Sequence, residues 1–389
     1  MRKLTEHDFD QSLALSQYAF QYVIPEDDKE RRKEMMRQQE IWGEFEGDEL
    51  ISKTNLLDHQ VFIGEKTFSM GGVAGVATWP EHRRKGSVGR LLKHSLSMMK
   101  ERSQVISYLH PFDFHFYRRF GWELAFSNKK YSFEKKDLIQ LPHSSGKVVR
   151  VNHKEKLDEL NRVYETYFTR YSGMLKRSEY WWNNHVCTKG IVTAVYYDQT
   201  GEPAGYILYK VSDRLLDVEE IVTINHEALR GLWNFICQHD SMVDKVKMVV
   251  PQDDQLPFLL HNPRVQQEIV AYFMARIVDV EAFLKQYPFK REQNESILLY
   301  VTDEVATWNN GTYTISKDSV QFEPMTEEGV KVTSSQGVFT DIQTLTALLL
   351  GYQTATFLYQ SGKLTGDEQE VTKLDRMITA KPTCFYDFF

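Results

Sequence analysis

The stretch VATWPEHRRKGSVGRLL, residues 76–92, decides how the rest of the chain reads. Val76, Ala77 and Thr78 close a short apolar strand, and Pro80, lacking a backbone N–H, ends its pairing. Gly86 permits a tight turn with no Cβ in the way. Beyond it Val88, Leu91, Leu92, Leu96 and Met99 recur at helical spacing. The first N–H groups of such a helix have no partner within it and carry the positive end of its dipole, so an anion is well placed there. Arg83, Arg84 and Lys85 add charge that can follow a pyrophosphate. On this run alone a solvated charged loop fits equally well. The GxxxxGK[ST] pattern is absent, and Gly86-Ser87-Val88-Gly89 is not the GxGxxG of a dinucleotide fold.

The arrangement resembles motif A of the GNAT acyltransferases, a [Q/R]-x-x-G-x-[G/A] loop that follows a strand. Arg83, Gly86 and Val88 fall on its three defining positions, with Val88 in place of the small residue. That departure matches one branch, the Eis-like (enhanced intracellular survival) N-acetyltransferases, whose loop looks like HRRRG-aliphatic-aliphatic-R. Here the run is His82-Arg83-Arg84-Lys85-Gly86-Ser87-Val88-Gly89-Arg90. A second similarity lies in Tyr117-Arg118-Arg119-Phe120-Gly121-Trp122, which resembles the segment carrying the general-acid tyrosine of that branch. The third is the chain end, Cys384-Phe385-Tyr386-Asp387-Phe388-Phe389, since the branch uses its terminal α-carboxylate as a base.

The residues support these roles on their own chemistry. A phenol stays protonated at neutral pH and can give a proton to a departing thiolate. Two terminal phenylalanines would be exposed unless docked, and docking would carry the carboxylate of Phe389 into a pocket where desolvation raises its pKa. His110, Asp113 and His115 stand near Tyr117 in sequence as rival acids or bases, and histidine titrates closest to neutrality.

The resemblance implies acetyl-CoA as co-substrate and no metal. Its pantetheine arm would run along the backbone of Val76, Ala77 and Thr78, and its pyrophosphate would sit at Arg84, Lys85, Gly86, Ser87, Val88 and Gly89. Phe112 and Asp113 complete the donor site, and the N–H of Val76 would face the developing oxyanion. Tyr117 and Phe389 would be the catalytic pair, and the family's hexameric assembly is the expected oligomer. Tyr22, Trp42 and Glu44 are candidates for an aromatic and acidic acceptor wall, on composition only.

Composition limits the function classes. The 389 residues exceed one ordinary core and suggest two or three domains. A net charge of −7, with only short Lys/Arg clusters, argues against a nucleic-acid partner and suits a cationic amine. Cys187, Cys237 and Cys384 are odd in number and widely spaced, so neither a disulfide framework nor a thiolate metal site is indicated. No stretch reads as a signal peptide or a membrane span, and the cytoplasm is the expected compartment.

Along the chain, residues 5–24 and 26–40 read as helices and 59–68 as a strand that Gly71-Gly72 breaks before a second strand, 73–79. The loop, its helix and the short strand 105–109 complete an acetyltransferase order. After a change of texture at 134–146, helix 155–171, a hairpin of 191–197 with 204–210, and helix 229–239 repeat that order. Glu219 and Glu220 stand where the basic loop would be, so this repeat reads as degenerate. From about Arg291, strand 296–303, an Asn310-Gly311 hairpin signal, helix 341–350 and helix 371–378 form a module resembling a sterol-carrier-like domain.

The fold class this resemblance implies is α/β (α+β), with a catalytic GNAT domain expected over 1–145, a degenerate GNAT domain over 146–287 and the sterol-carrier-like domain over 288–389. The function the resemblance implies is acetyl transfer to a primary amine of a cationic small molecule, aminoglycoside-like or polyamine-like, or of a lysine. The alternative is a non-enzymatic acyl-CoA or lipid carrier, which would need no basic loop paired with Tyr117 and a free terminal carboxylate.

Overall fold

The computed structural model describes residues 1–290, 295–316, 319–325, 337–379 and 381–389. Its first part holds β1 (Arg2–Lys3), α1 (Phe9–Phe20), α2 (Lys29–Arg37), β2 (Glu40–Glu46), β3 (Glu49–Ile63), β4 (Lys66–Thr78), α3 (Ser87–Glu101), β5 (Ile106–Leu109), α4 (Phe114–Arg118) and β6 (Glu123–Glu134). The second holds β7 (Lys147–Val151), α5 (Leu157–Phe168), α6 (Glu179–Trp181), β8 (Val192–Tyr197), β9 (Pro203–Ser212), β10 (Leu215–Thr223), α7 (His226–Cys237), β11 (Lys245–Pro251), α8 (Leu256–Leu259) and β12 (Gln266–Ile277). The third holds α9 (Val280–Gln286), β13 (Ile297–Thr302), β14 (Gly311–Ile315), β15 (Val320–Pro324), β16 (Val338–Asp341), α10 (Ile342–Leu350), α11 (Ala355–Gln360), β17 (Thr365–Gly366) and α12 (Glu368–Met377). The expected start of the third pattern at Arg291 lies outside the described residues.

One twelve-stranded sheet runs β1-β2-β3-β4-β5-β12-β6-β11-β10-β9-β8-β7. In each half a helix crosses over between parallel strands, α3 between β4 and β5 and α7 between β10 and β11. Beyond that unit the halves exchange their last strands. β12 pairs with β5, β6 pairs with β11, and β12 and β6 pair with each other along most of their length. The sheet is therefore continuous across both halves.

The third part adds the sheet β15-β14-β13-β16-β17. Every residue of α10 except Gln343 is buried, as suits an almost wholly apolar helix held between two layers. One core cluster joins Val61 and Phe68 of the first part to Phe273 and Phe283, to Leu299, Leu345 and Leu374 of the third, and to Phe385 of the tail. Much of the apolar surface described in the terminal module is thus packed into this core.

Three local expectations are corrected. Residues 59–68 are not one strand: β3 and β4 form a long antiparallel hairpin that turns at Gly64, with φ +62°. Gly71-Gly72 lies inside β4 without breaking it, because close neighbours, not a turn, require glycine there. A Cβ on Gly71 would meet the Met99 side chain of α3, and one on Gly72 would stand 2.9 Å from the Phe389 ring. Asn310-Gly311 likewise makes no two-residue turn. β13 and β14 are joined by residues 303–310, with a 3₁₀ turn at Thr307–Asn309, and Gly311 is already paired with Val301.

Candidate active site

The basic loop is braced from beneath. Glu44 on β2 accepts two hydrogen bonds from Arg90, each 2.7 Å, and Arg90 also donates to the carbonyl of Lys85 and the hydroxyl of Ser87. Arg90 thereby holds Glu44's carboxyl below its usual pKa range. The turn needs left-handed backbone at Arg84, φ +64°, and at Gly86, φ +83°, the residue that caps α3. No side chain caps the N-terminus of α3, and the exposed Arg84 and Lys85 side chains have no acceptor among the described residues. Four features fit a pyrophosphate: a fifteen-residue helix, open first-turn N–H groups, free cations and a glycine turn. The second half lacks all of this. There β10 passes almost directly into α7, whose first turn is capped by Asn225, its Oδ1 accepting from the N–H of Ala228 at 2.8 Å.

β4 and β5 separate where the loop begins. Their pairing runs only from Met70 with Ile106 to Val73 with Leu109, and β4 continues to Thr78. A bulge at Gly75, φ +56°, and Val76 shifts the register against β3. Ala77 packs into the cluster beneath α1, and the Thr78 hydroxyl meets that of Ser52 at 2.7 Å. A ligand along this strand would therefore use the backbone. The Thr78 carbonyl also accepts from Arg83 at 3.3 Å.

Tyr117 comes from α4, capped by Asp113, whose carboxylate accepts from the Phe116 N–H at 2.6 Å. Tyr117 is 2% exposed, and burial pushes its phenol well above the ordinary value. Its ring touches those of Phe112, Phe116 and Trp122, and its hydroxyl makes no hydrogen bond to a described residue. Phe112 beside it is 69% exposed. Gly89 meets the Phe120 ring, so the head of α3 and the turn after Tyr117 touch. That turn is held from behind by parts of the chain far away in sequence. Arg276 of β12 donates to the Phe120 carbonyl and forms a buried ion pair with Asp303, while Gln343 of α10 donates to the Arg118 carbonyl at 3.0 Å.

The chain end reaches the same place from the other face of the sheet. The tail bridges at Thr383 to Ser172, with Ser172 N–H donating to Pro382 and Cys384 N–H to Ser172. Phe385 is buried against Tyr108, Phe126 and Phe273. The Phe389 ring rests on Gly72, flanked by His59, Trp181 and Phe273. Gly72 pairs with Tyr108, one residue before β4 and β5 part. Its neighbour Gly71 faces α3, so Phe389 and α3 lie on opposite faces. Tyr117 belongs to the cluster on the α3 face, with Val73, Leu92 and Leu109. The two sequence-predicted catalytic residues thus flank the opening between the strands.

Other candidates fall differently. The ring of His110, just after β5, lies 5.1 Å from that of Phe388, and burial lowers its pKa; His115 is exposed on α4. Glu44 is committed to Arg90, and Trp42 packs edge-on against His94 of α3 while donating to Glu40, so neither forms an acceptor wall on the Phe389 face. Tyr22 is partly exposed just beyond α1. The braces Glu44, Asp303 and Gln343 carry no signal in sequence, because an isolated polar residue reads as solvated until its distant partner is known. All three cysteines are buried and unpaired. Among the described residues no group of His, Cys, Asp and Glu could hold a metal ion, and no helix is long and apolar enough to cross a membrane.

Comparison with known proteins agrees with this architecture. Residues 1–125 and 173–277 each match an acetyltransferase (GNAT) domain, and 280–386 match a sterol carrier protein domain. A structure of a conserved protein of unknown function from Enterococcus faecalis V583 superposes with a TM-score of 0.92 at 26% identity, covering 100% of this chain and 99% of that one. An uncharacterized N-acetyltransferase of Streptomyces griseus is 22% identical over 67% of this chain and 69% of its own length. The N-acetyltransferase Eis of Mycobacterium bovis (strain BCG / Pasteur 1173P2) is 24% identical over 67% of this chain and 68% of its own. With two GNAT halves ahead of a sterol carrier protein domain, the chain belongs to the Eis-like GNAT proteins and is an acyl-CoA-dependent N-acetyltransferase.

Proposed function

We propose that the protein moves an acetyl group from acetyl-CoA to a primary amine, of an aminoglycoside-like or polyamine-like cation or of a lysine. The observation that carries this reading is the position of Phe389 against Gly72, at the mouth of the opening between β4 and β5, with Tyr117 on the opposite face. Arg84, Lys85 and the N–H groups of Ser87, Val88 and Gly89 would hold the pyrophosphate, and the backbone of Val76, Ala77 and Thr78 the pantetheine arm. Phe112 and the backbone at Asp113 would close the donor site, the Asp113 carboxylate being occupied as the cap of α4.

An ammonium has no lone pair with which to attack. The Phe389 carboxylate takes its proton, and the neutral nitrogen adds to the thioester carbonyl from the Phe389 face. The N–H of Val76, in the bulge, stabilises the oxyanion of the addition step. Collapse breaks the C–S bond, and the electron pair leaves on sulfur. Tyr117 gives that sulfur its proton from the α3 face and takes one back from solvent, while the nitrogen, left cationic by its addition, releases its surplus proton to solvent as the amide forms. The strongly raised phenol pKa keeps Tyr117 protonated at every working pH.

A second base has an observation of its own: His110, against Phe388, is neutral near pH 7 because burial lowers its pKa. Replacement by Gln separates the two, since the Phe389 reading predicts turnover within a few-fold of the parent. We further infer a cytoplasmic hexamer, which light scattering of the purified protein tests by its mass. The reaction itself is tested by free-thiol release from acetyl-CoA with kanamycin, spermidine and a lysine peptide. Thiol release coupled to an acetylated product supports the reading; no release with any of the three, while other acyl-CoA donors react, would reassign the donor.

A further inference from the structure

The last residues of the chain are held by a buried charge cluster that the reaction itself does not use. Asp387 Oδ1 accepts from Arg177 Nε at 2.9 Å and from Trp181 Nε1 at 2.7 Å. Arg177 turns its other two nitrogens to Glu220, at 2.9 and 2.6 Å, and Glu220 also accepts from the Tyr206 hydroxyl. The guanidinium lies over the rings of Tyr164 and Trp182, 4.1 and 4.6 Å from their centroids. The Asp387 carbonyl accepts from Tyr272 at 3.0 Å. None of the three charged side chains is more than 5% exposed.

Such a cluster is a poor device for stability. Desolvating two carboxylates and one guanidinium costs about as much as their attraction returns, and apolar residues of like volume commonly serve as well. Asp387 Oδ2 is buried with no partner, a further cost. What the cluster supplies is register. It fixes one point of the tail two residues before its end, and two residues span at most about 7 Å. Arg177, Trp181, Tyr206 and Glu220 all belong to the second half, which has lost its own anion site.

We propose that Arg177, backed by Glu220, is a positioning residue that places the terminal carboxylate by gripping Asp387, so that the degenerate half serves as the clamp for the base. This rests on the reading of the Phe389 carboxylate as that base. A displacement of about 1 Å at a reacting group can cost 10²-fold in rate.

The test is a double comparison in the full chain, with acetyl-CoA and the most rapidly acetylated amine of the three named above. Asp387→Ala leaves Arg177 paired with Glu220, so the fold should hold, and kcat should fall about 10- to 100-fold with the KM for acetyl-CoA unchanged. Asp387→Asn keeps an acceptor for Arg177 and Trp181 and should recover most of that loss. In a chain extended by one glycine past Phe389, which displaces the carboxylate, Asp387→Ala should add nothing further. Parental turnover in Asp387→Ala, or an equal loss with and without the extension, overturns the clamp while leaving the terminal base standing. Unchanged turnover on extension alone overturns both. If Asp387→Ala melts too low to assay, Trp181→Phe, which removes one donor and keeps a ring, takes its place in the same comparison.

Discussion

At Gly72 the missing side chain is what admits the terminal ring, and at Tyr117 burial raises the phenol's pKa still further above neutrality. Tyr117→Phe removes only the hydroxyl from a ring packed among Phe112, Phe116 and Trp122, so the fold should stay intact. Turnover should fall about 10²- to 10⁴-fold, the range for a positioned acid, as read by thiol release. Because the phenol pKa is raised, the parent enzyme should show no loss of rate from Tyr117 ionisation as pH rises to 10. A different residue offers a stability test. Lys53, 3% exposed, donates to Ser12 Oγ at 2.8 Å, and burial lowers its pKa to about 7. The unfolded chain binds that proton up to about pH 10, so stability is fullest above that and is lost as pH falls towards 7. Lys53→Met should therefore raise the melting temperature at pH 6 by more than at pH 9.5, measured by thermal denaturation. Tyr117 and Phe389 stood out as candidates in the sequence because each sits in a distinctive local pattern. Gly72 was not, since Gly-Gly is as ready a signal for a break as for close packing.

Two helix N-termini separate the half that carries the basic loop from the half that lacks it. The head of α3 is left open above a glycine turn, whereas Asn225 fills the head of α7 with its own side chain. The open loop depends on the Glu44–Arg90 brace. Glu44→Gln weakens a bidentate charge-assisted pair and should loosen the loop without touching Tyr117 or the tail. The expected outcome is a KM for acetyl-CoA raised about three- to tenfold, at most ~1.4 kcal/mol, with kcat nearly unchanged. Steady-state kinetics with varied acetyl-CoA checks this. The longer helices α1, α3, α5 and α7 were readable from apolar spacing, α2 from helical propensity and the basic loop from its charge and glycine, whereas the short α4, α6 and α8 span too few residues to show a period. The long β3–β4 hairpin was read short because its bulge and internal glycines interrupt the period on which strand reading depends.

On the scale of the whole molecule, the exchange of β6 and β12 makes the halves inseparable. In a fragment ending at residue 145, β5 would lose β12, and β6 would lose both of its neighbours, leaving unpaired edges. Such a fragment should be insoluble or unfolded by circular dichroism, and a soluble fragment with native-like spectra would contradict the exchange. No sequence signal marked the exchange, because either strand offers an equivalent apolar pattern to either half. The terminal module completes the site twice over: Asp303 and Gln343 steady the turn behind Tyr117, and its tail crosses the second half to bring Phe389 onto β4. The central claim is that the carboxylate at the end of that path is the base. It is tested most directly by a semisynthetic protein ending in Phe389 carboxamide, which removes the charge and adds no bulk. Amine acetylation should fall at least 10²-fold with acetyl-CoA binding and melting temperature unchanged. Turnover equal to that of the parent would contradict the account.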